Sequence, residues 1–166
     1  MISEQVRQGF PVAAAIEDFN GSWITGGTVH AGQLALYIEP SAIVEACTFL
    51  RDSFQCRLSG LTAVDWHPLE PRFEVVYLLH SIEKNFRIRM KCKVSGEDPA
   101  IDSTTGVWAG ANWYEREVFD LFGITFRNHP NMRRIMMPDD WDGHPLRRDY
   151  PIHGHRYSYS DEGNVI

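Results

Sequence analysis

Two runs of alternating residues place the strongest constraint on what this chain can fold into. In residues 73–79 and 86–94, apolar side chains occupy every second position, which is the period of a β-strand with one buried face. A four-residue turn at 81–84 would pair Leu79 with Phe86 and Tyr77 with Ile88. The same register would set Glu74 opposite Lys91 on the outer face. Because one register satisfies both faces, the sequence predicts an antiparallel hairpin in that register.

The second run carries a cation at each outward position, namely Arg87, Arg89, Lys91 and Lys93. These side chains form either one solvated face of the sheet or a docking patch for an acidic partner. A nucleic-acid platform is a third interpretation, but the interleaved aromatic side chains on which bases would stack are missing. The formal net charge of −6 also disfavours binding of nucleic acid by this chain.

The other patterns add helices and strands around this hairpin. We predict helices at 12–19, 40–54 and 107–122, with Gly123 ending the last one. We predict further strands at 23–29, 34–39 and 58–66, and a loop at 96–105. The fold class is therefore α+β: a mostly antiparallel sheet with helices on one face and an extended C-terminal arm. A length of 166 residues suggests one domain, in which residues 1–126 form the α+β body and residues 127–166 a docking arm and tail.

Cysteine usage and hydropathy exclude several classes of protein. Cys47, Cys56 and Cys92 are odd in number and form no Cys-x-x-Cys, which argues against a disulfide framework, a structural zinc site and an iron–sulfur cluster. We expect reduced thiols in an intracellular compartment, with Cys47 acting as a small hydrophobic residue of its helix. We also expect neither a membrane-spanning segment nor a secretory signal, since no long apolar run and no basic leader is present.

Four charged residues cluster on the last predicted helix: Glu115, Arg116, Glu117 and Asp120. Arg116 and Asp120 are four residues apart, so they can form an ion pair within the helix. Glu117 and Asp120 share a face and could serve as acid and base. An internally paired charged face, a protein interface and a catalytic site all remain open at this point.

The segment after this helix is rich in Arg, Trp, Met and Pro and lacks a regular period. All seven basic residues after position 100 are Arg, whose planar guanidinium suits buried and interfacial ion pairs. The prolines at 130, 138, 145 and 151 keep the backbone extended. We expect this segment to lie on the surface of another protein. An Ω-loop packed on its own domain is the alternative.

Metal and nucleophile chemistry find little support in the sequence. His129, His144 and Asp140 would be the ligands of a metal-dependent hydrolase, but their spacing matches no metal motif, and both histidines precede proline. Gly-x-Ser-x-Gly and phosphate-binding glycine loops are absent from the sequence. An autonomous hydrolase is thus the remote alternative.

Three blocks follow one another in the C-terminal part: YEREVFDLFGITF at 114–126, HPNMRRI at 129–135 and DDWDGHPLRRDYP at 139–151. VDW at 64–66 and RFEVVY at 72–77 precede them. Together they resemble the C subunit of the proton-pumping NADH–quinone oxidoreductases, the respiratory complex I family. The likeness runs from residue 34 to 151 and is specific, since three linked blocks match in order.

The resemblance implies a hydrophilic subunit of the peripheral arm, in a hetero-oligomer with the quinone-site subunit and the iron–sulfur subunits. It implies that this chain binds no cofactor or metal and has no catalytic centre, whereas the assembly carries NADH, FMN, iron–sulfur clusters and quinone. Membrane contact would be indirect, at the cytoplasmic face of a bacterial inner membrane or the equivalent matrix side. Nucleic acid would not be a partner. The equivalent subunit of a membrane-bound hydrogenase, or of a ferredoxin- or F420-linked complex, is the alternative.

The resemblance also implies which residues dock the subunit. The family's charged helix motif maps onto Glu115, Arg116, Glu117 and Asp120. Its loop motif maps onto His129, Pro130, Arg133, Arg134, Asp140, Trp141, Gly143, Pro145, Leu146, Arg147, Asp149, Tyr150 and Pro151. Arg148 stands where many relatives have Lys.

Overall fold

The computed structural model describes residues 4–151, and within that range it contains four α-helices and seven β-strands. The helices are α1 (Glu4–Gly9), α2 (Pro11–Asn20), α3 (Ile43–Phe54) and α4 (Ala111–Phe122). The strands are β1 (Ile24–His30), β2 (Gln33–Ile38), β3 (Arg57–Asp65), β4 (Phe73–Ser81), β5 (Phe86–Val94), β6 (Ala100–Asp102) and β7 (Thr125–Arg127). The predicted tail at 152–166 lies outside the described residues.

The main sheet has five strands in the order β1-β2-β5-β4-β3. Three of its four pairings are antiparallel, and the β2–β5 pairing is parallel. The predicted α+β class with a mostly antiparallel sheet is therefore confirmed. The strands predicted at 23–29 and 34–39 form as β1 and β2, which pair as an antiparallel hairpin.

The β4–β5 hairpin forms as predicted, but the predicted register is wrong by two residues. Leu79 pairs with Ile88 rather than with Phe86. The last pair of the ladder is Ser81 with Phe86, so the turn occupies residues 82–85 instead of 81–84. Moving the turn by one residue shifts the register by two, and each side chain therefore keeps its predicted face. The ion pair between Lys91 and Glu74 survives across the diagonal, with Nζ 2.8 Å from Oε1.

The inward side chains of the sheet pack with α2, α3 and α4 into one hydrophobic core. Each fully buried side chain of the size of Leu50 or Ile88 contributes about 2 kcal/mol to stability. Cys47 is fully buried in this core, and burial raises the pKa of its thiol well above the ordinary value. It therefore stays protonated and packs as a small apolar residue, as the sequence predicts.

The predicted helix at 40–54 starts as a 3-10 turn at Pro40–Ala42, and α3 itself begins at Ile43. Two further differences lie around the last helix. The last helix begins at Ala111 rather than near 107, because residues 104–110 form hydrogen-bonded turns that lead into it. The predicted loop at 96–105 contains β6, which pairs in parallel with β7. With three residues, β6 is too short to show an alternating pattern in the sequence. Its partner β7 lies on the far side of α4 along the chain. This small sheet fixes both ends of the connection through α4.

Candidate functional site: the last helix and the arm

Residues 128–151, which we call the arm, run beside α4 in the same direction as the helix. His129 donates from Nε2 to the Asn112 carbonyl at 3.3 Å. Arg116 donates to the carbonyls of Arg133 and Arg134 at 3.1 and 3.0 Å. Since these helix positions are four residues apart, they share a stripe on α4. The chain's own last helix therefore supplies a surface on which the arm lies. That another protein covers the exposed side of the arm stays a prediction.

The Asp120 carboxylate holds the centre of the arm. Its Oδ2 accepts three successive backbone N–H groups, from Ile135, Met136 and Met137, at 2.7–2.9 Å. Its Oδ1 accepts from the Arg134 guanidinium at 2.6 Å. Burial by itself would raise the pKa of Asp120, but the N–H groups and Arg134 together lower it below the ordinary value. A buried carboxylate is thus kept ionised as the anchor of the arm.

The arm also caps the C-terminal end of α4. The last carbonyls of a helix have no partners within it and carry partial negative charge. His144 donates to the Asp120 carbonyl at 2.9 Å, the Leu146 amide to Leu121 at 3.0 Å, and Arg147 Nε to Phe122 at 2.6 Å. Burial lowers the pKa of His144, so the ring donates in its neutral form. Three arm residues thereby replace the solvent that normally covers a helix end.

Gly123 is required for this arrangement on two grounds. Its φ is +73°, in the left-handed region that favours glycine and ends helices. A Cβ at this position would also collide with the side chains of Arg147 and His144. The sequence-based prediction that the helix ends at this glycine is confirmed, and the close approach of the arm is a second reason for it.

The last part of the arm is tied to the main sheet by Arg72. The guanidinium is paired with Asp65 at 2.7–2.9 Å and with Asp149 at 2.6–2.8 Å, each through two hydrogen bonds. The Arg148 amide donates to Asp65 as well, at 2.9 Å. These bonds lower the pKa of Asp65 to about 2, against the effect of burial, which would raise it. Because Arg forms two-point pairs with carboxylates, this contact fixes both distance and orientation.

Glu115 of α4 holds the loop before the helix. Its carboxylate accepts from the backbone amide and the hydroxyl of Thr104 at 2.7 and 2.8 Å, and from the Ser103 hydroxyl at 2.6 Å. Burial raises the pKa of Glu115 above its ordinary value despite these hydrogen bonds. Glu115 and Asp120 therefore lie in contrasting environments although both are fully buried.

The structure separates the predicted site residues by exposure. Glu115, Arg116 and Asp120 are buried within the chain. The partly buried ones are His129, Arg134, Trp141, Gly143, Pro145, Arg147 and Tyr150, and the exposed ones are Glu117, Pro130, Arg133, Asp140, Leu146, Asp149 and Pro151. The predicted pairing of Arg116 with Asp120 is wrong, because both groups bind the arm instead. Their role as interface residues stays a prediction.

Exposed apolar side chains surround the clamped stretch. Trp113 is 62% exposed, and the Arg116 guanidinium lies over its ring, with the guanidinium carbon 5.3 Å from the ring centre. Met136 and Leu146 are 62% and 53% exposed, although their backbone amides are bound to α4. These side chains thus project from a backbone that the helix holds in place.

The geometry does not gather the candidate metal ligands. His129 uses Nε2 for Asn112 and accepts the Asn131 amide at Nδ1, so both ring nitrogens are engaged within the chain. His144 is bound to a helix carbonyl. Among residues 4–151 no three His, Cys, Asp or Glu side chains come together in a way that could hold a metal ion. Within the same range no helix has the length and apolar character to cross a bilayer.

Sequence reasoning missed several residues of this clamp. Asp65 and Arg72 are absent from the predicted site, as are Ser103 and Thr104, which hold Glu115. Asp65 and Arg72 lie inside the blocks 64–66 and 72–77 that carry the resemblance, so those blocks could have marked both residues as candidates. Ser103 and Thr104 carry no such signal, because they lie in a stretch that the sequence predicts only as a loop.

Fold and site together define a class: an α+β protein whose last helix clamps its own C-terminal arm and presents it as a fixed surface. Residues 36–156 match the family model of the respiratory-chain NADH dehydrogenase 30 kDa subunit. The chain belongs to that family.

Individual relatives agree with this assignment. The chain is 48% identical over 132 residues to the NADH-quinone oxidoreductase C subunit of Roseiflexus sp. strain RS-1, covering 78% of this chain and 76% of the relative. It is 49% identical over 125 residues to the C subunit of the same enzyme from Geobacter sulfurreducens, covering 74% and 77%.

Two solved structures share the fold. A trypsin-resistant fragment of Nqo5 matches with a TM-score of 0.65 at 27% identity, covering 72% of this chain and 98% of the fragment. A polypeptide of the membrane-bound sulfane sulfur reductase, an archaeal respiratory membrane complex, matches with a TM-score of 0.78 over 96% of both chains. Its identity of 22% makes it a likeness of fold alone. The family match and the relatives together make the chain a complex I-type subunit of a hetero-oligomer.

Proposed function

We propose that this chain docks on the quinone-site subunit of an NADH–quinone oxidoreductase and supports electron transfer from NADH to quinone, coupled to proton translocation, without carrying electrons itself. The contact is formed by five exposed residues that we call the docking surface: Trp113, Glu117, Arg133, Met136 and Leu146. NADH, FMN, the iron–sulfur clusters and quinone are bound by other subunits. The iron–sulfur subunits are further neighbours, and the chain lies peripherally at the cytoplasmic face of the membrane.

The observation that carries the proposal is the clamp between α4 and the arm. Ordering a flexible segment on binding costs free energy, and a segment that is already ordered avoids that cost. Asp120 and Arg116 of α4 bind the arm backbone, and Arg147 of the arm binds the end of α4. Trp113, Met136 and Leu146 remain exposed. Tryptophan, methionine and arginine are the residue types enriched in interface cores. A rigid surface with these side chains is suited to a permanent protein contact.

The buried charges of α4 support a structural rather than a chemical role. Glu115 and Asp120 would be the candidate acid and base, but each carboxylate already accepts several hydrogen bonds from its own chain. A general acid or base needs access to the proton that it transfers. Both carboxylates are fully buried, so their hydrogen-bonding capacity is used in holding the loop at 103–105 and the arm.

The test compares two exposed apolar residues in the native host. We expect Leu146→Glu to reduce the amount of quinone-site subunit that co-purifies with the tagged chain by about tenfold, which corresponds to about 1.4 kcal/mol of binding. NADH–quinone activity of the membranes should fall in proportion. Ile82→Glu is the matched control, since Ile82 is 68% exposed in the turn between β4 and β5, outside the docking surface. Both variants should keep the unfolding temperature of the unaltered chain within about 2 °C, because neither side chain is buried.

Undiminished co-purification of the Leu146→Glu chain would contradict the proposal. So would an equal loss in the Ile82→Glu control. The same preparation decides between the proposed complex and the alternative hydrogenase or ferredoxin- or F420-linked assembly, because the NADH-binding subunit is present only in the first.

A further inference from the structure

The outer face of the main sheet carries a concentration of positive charge that the docking surface does not use. Strand β5 points Arg87, Arg89, Lys91 and Lys93 outward, and Arg57 of β3 lies on the same face because it pairs with the outward residue His80. Within strands β2–β5 the acidic residue on this face is Glu74, which is buried and bound to Lys91. The face is therefore strongly basic on a chain whose formal net charge is −6.

The three arginines of this face are available to a ligand. Among residues 4–151, neither Arg87 nor Arg57 forms an ion pair. Within the same range, Arg89 donates to the amide oxygen of Gln33, which is uncharged, and forms no ion pair. A cation without a carboxylate in its own chain keeps its full attraction for an anionic group.

A cavity of about 380 Å³ lies between these side chains. It is lined by Arg87 and Arg89 together with Leu78, Gln33, Ser59 and His80 on the outer side. The cavity has room for a carboxylate side chain, and two guanidinium groups can bind such a carboxylate by two-point hydrogen bonds.

The centre of the face is apolar. Ala35 and Val76 are buried and pair with Arg89 and Lys91 of β5. Leu78 is 37% exposed beside Arg89. Within strands β2–β5 the aromatic side chain on this face is Tyr37, and Lys91 and Lys93 both lie 5.5 Å from its ring centre. A nucleic acid needs free aromatic faces on which bases stack. A polypeptide with acidic and apolar side chains matches the face better.

We infer that the outer face of the sheet binds an acidic polypeptide segment of a partner, with one carboxylate of that segment in the cavity between Arg87 and Arg89. This second contact goes beyond the proposed docking through α4 and the arm and does not depend on it. Charge complementarity supports this inference. The positive charge of this face attracts acidic side chains locally, although the net charge of the chain is negative.

The test uses the purified full chain and two fluorescent peptides: one of Glu, Leu and Ser, and a counterpart with Gln in place of every Glu. We expect the Glu peptide to bind at least about tenfold more tightly than the Gln peptide, and its binding to weaken as salt is added. Nuclear magnetic resonance should place the shifted methyl signals at Leu78 and Val76.

Arg87→Glu should weaken binding of the Glu peptide by about fivefold or more, because an attraction becomes a repulsion. Lys84→Glu is the control: it makes the same change in charge in the turn at 82–85 and should alter binding by less than about twofold. Equal binding of the two peptides would overturn the inference. Equal effects of the two substitutions would overturn it as well, and so would tighter binding of oligouridylate than of the Glu peptide. All of these outcomes are independent of whether Leu146→Glu disrupts the complex.

Discussion

Replacing Asp120 by Asn removes one charge and leaves the volume of the side chain nearly unchanged. In the unaltered chain, Oδ2 accepts three backbone N–H groups and Oδ1 accepts the Arg134 guanidinium at 2.6 Å. The asparagine oxygen can still face the three N–H groups, but its NH₂ group then points at a guanidinium that also only donates. One partly buried ion pair is lost, and three hydrogen bonds lose their charge assistance.

The magnitude follows from these contacts. Removing one partner of a buried ion pair costs about 3–5 kcal/mol. Arg134 keeps three backbone carbonyls as acceptors, those of Asp120, Trp141 and Gly143, which reduces the cost. We therefore expect Asp120→Asn to destabilise the arm by about 3 kcal/mol. If the arm and the body unfold together, this corresponds to a fall of about 6–12 °C in unfolding temperature.

Hydrogen exchange of the amides of Ile135, Met136 and Met137 is the decisive assay, because it reports opening of the arm even where the body stays folded. The matched control is Glu117→Gln, which neutralises an exposed carboxylate of the same helix and should change protection by less than about 0.5 kcal/mol. Unchanged protection of the three amides in Asp120→Asn would refute the clamp. An effect of Glu117→Gln as large as that of Asp120→Asn would do the same.

The effect of pH has a definite sign. The pKa of Asp120 in the folded chain lies below its ordinary value of 3.8. The stability that the carboxylate adds is therefore complete above that value and is lost as the pH falls through the lowered folded pKa. The difference between the unaltered chain and Asp120→Asn should stay constant at neutral and mildly acid pH and shrink below about pH 4.

The remaining predictions concern three other contacts. The pKa of Glu115 is raised in the folded chain, so its stabilising effect is largest below pH 4.5 and declines as the pH rises through the folded pKa. In urea titrations, the stability advantage of the unaltered chain over Glu115→Gln should be smaller at about pH 7 than at about pH 4. Gly123→Ala should lower the free energy of unfolding by about 2–3 kcal/mol. Gly32 has a similar φ of +72° but open space around it, so Gly32→Ala should cost only about 1 kcal/mol. Equal costs would mean that the arm does not press on Gly123. A lysine at position 72 cannot make two-point pairs with two aspartates. We therefore expect Arg72→Lys to expose the end of the arm to trypsin and to lower the free energy of unfolding by about 2 kcal/mol. Arg127→Lys, at an ion pair whose Arg is 53% exposed, should leave trypsin resistance and stability unchanged.

The strands could be predicted from the sequence because their alternation is a local property. The register of β4 and β5 could not, because it depends on where the turn begins, and the run from Ser81 to Asn85 offers more than one starting point. The helix charges show the same division. A spacing of four residues predicted a pair between Arg116 and Asp120, yet both side chains found stronger partners in the arm.

The sequence alone determined the α+β class, the buried faces of the strands, the end of α4 at Gly123 and the family to which the chain belongs. Periodicity and short motifs are local patterns of the sequence, so they can be recognised without knowledge of distant contacts. Only the tertiary structure decided what the charges of α4 bind. The partners of Asp120 include backbone amides 15–17 residues away, and a backbone amide leaves no mark in the sequence. Its position is set when the chain closes on itself, which is why the arm could be recognised in advance but its support could not.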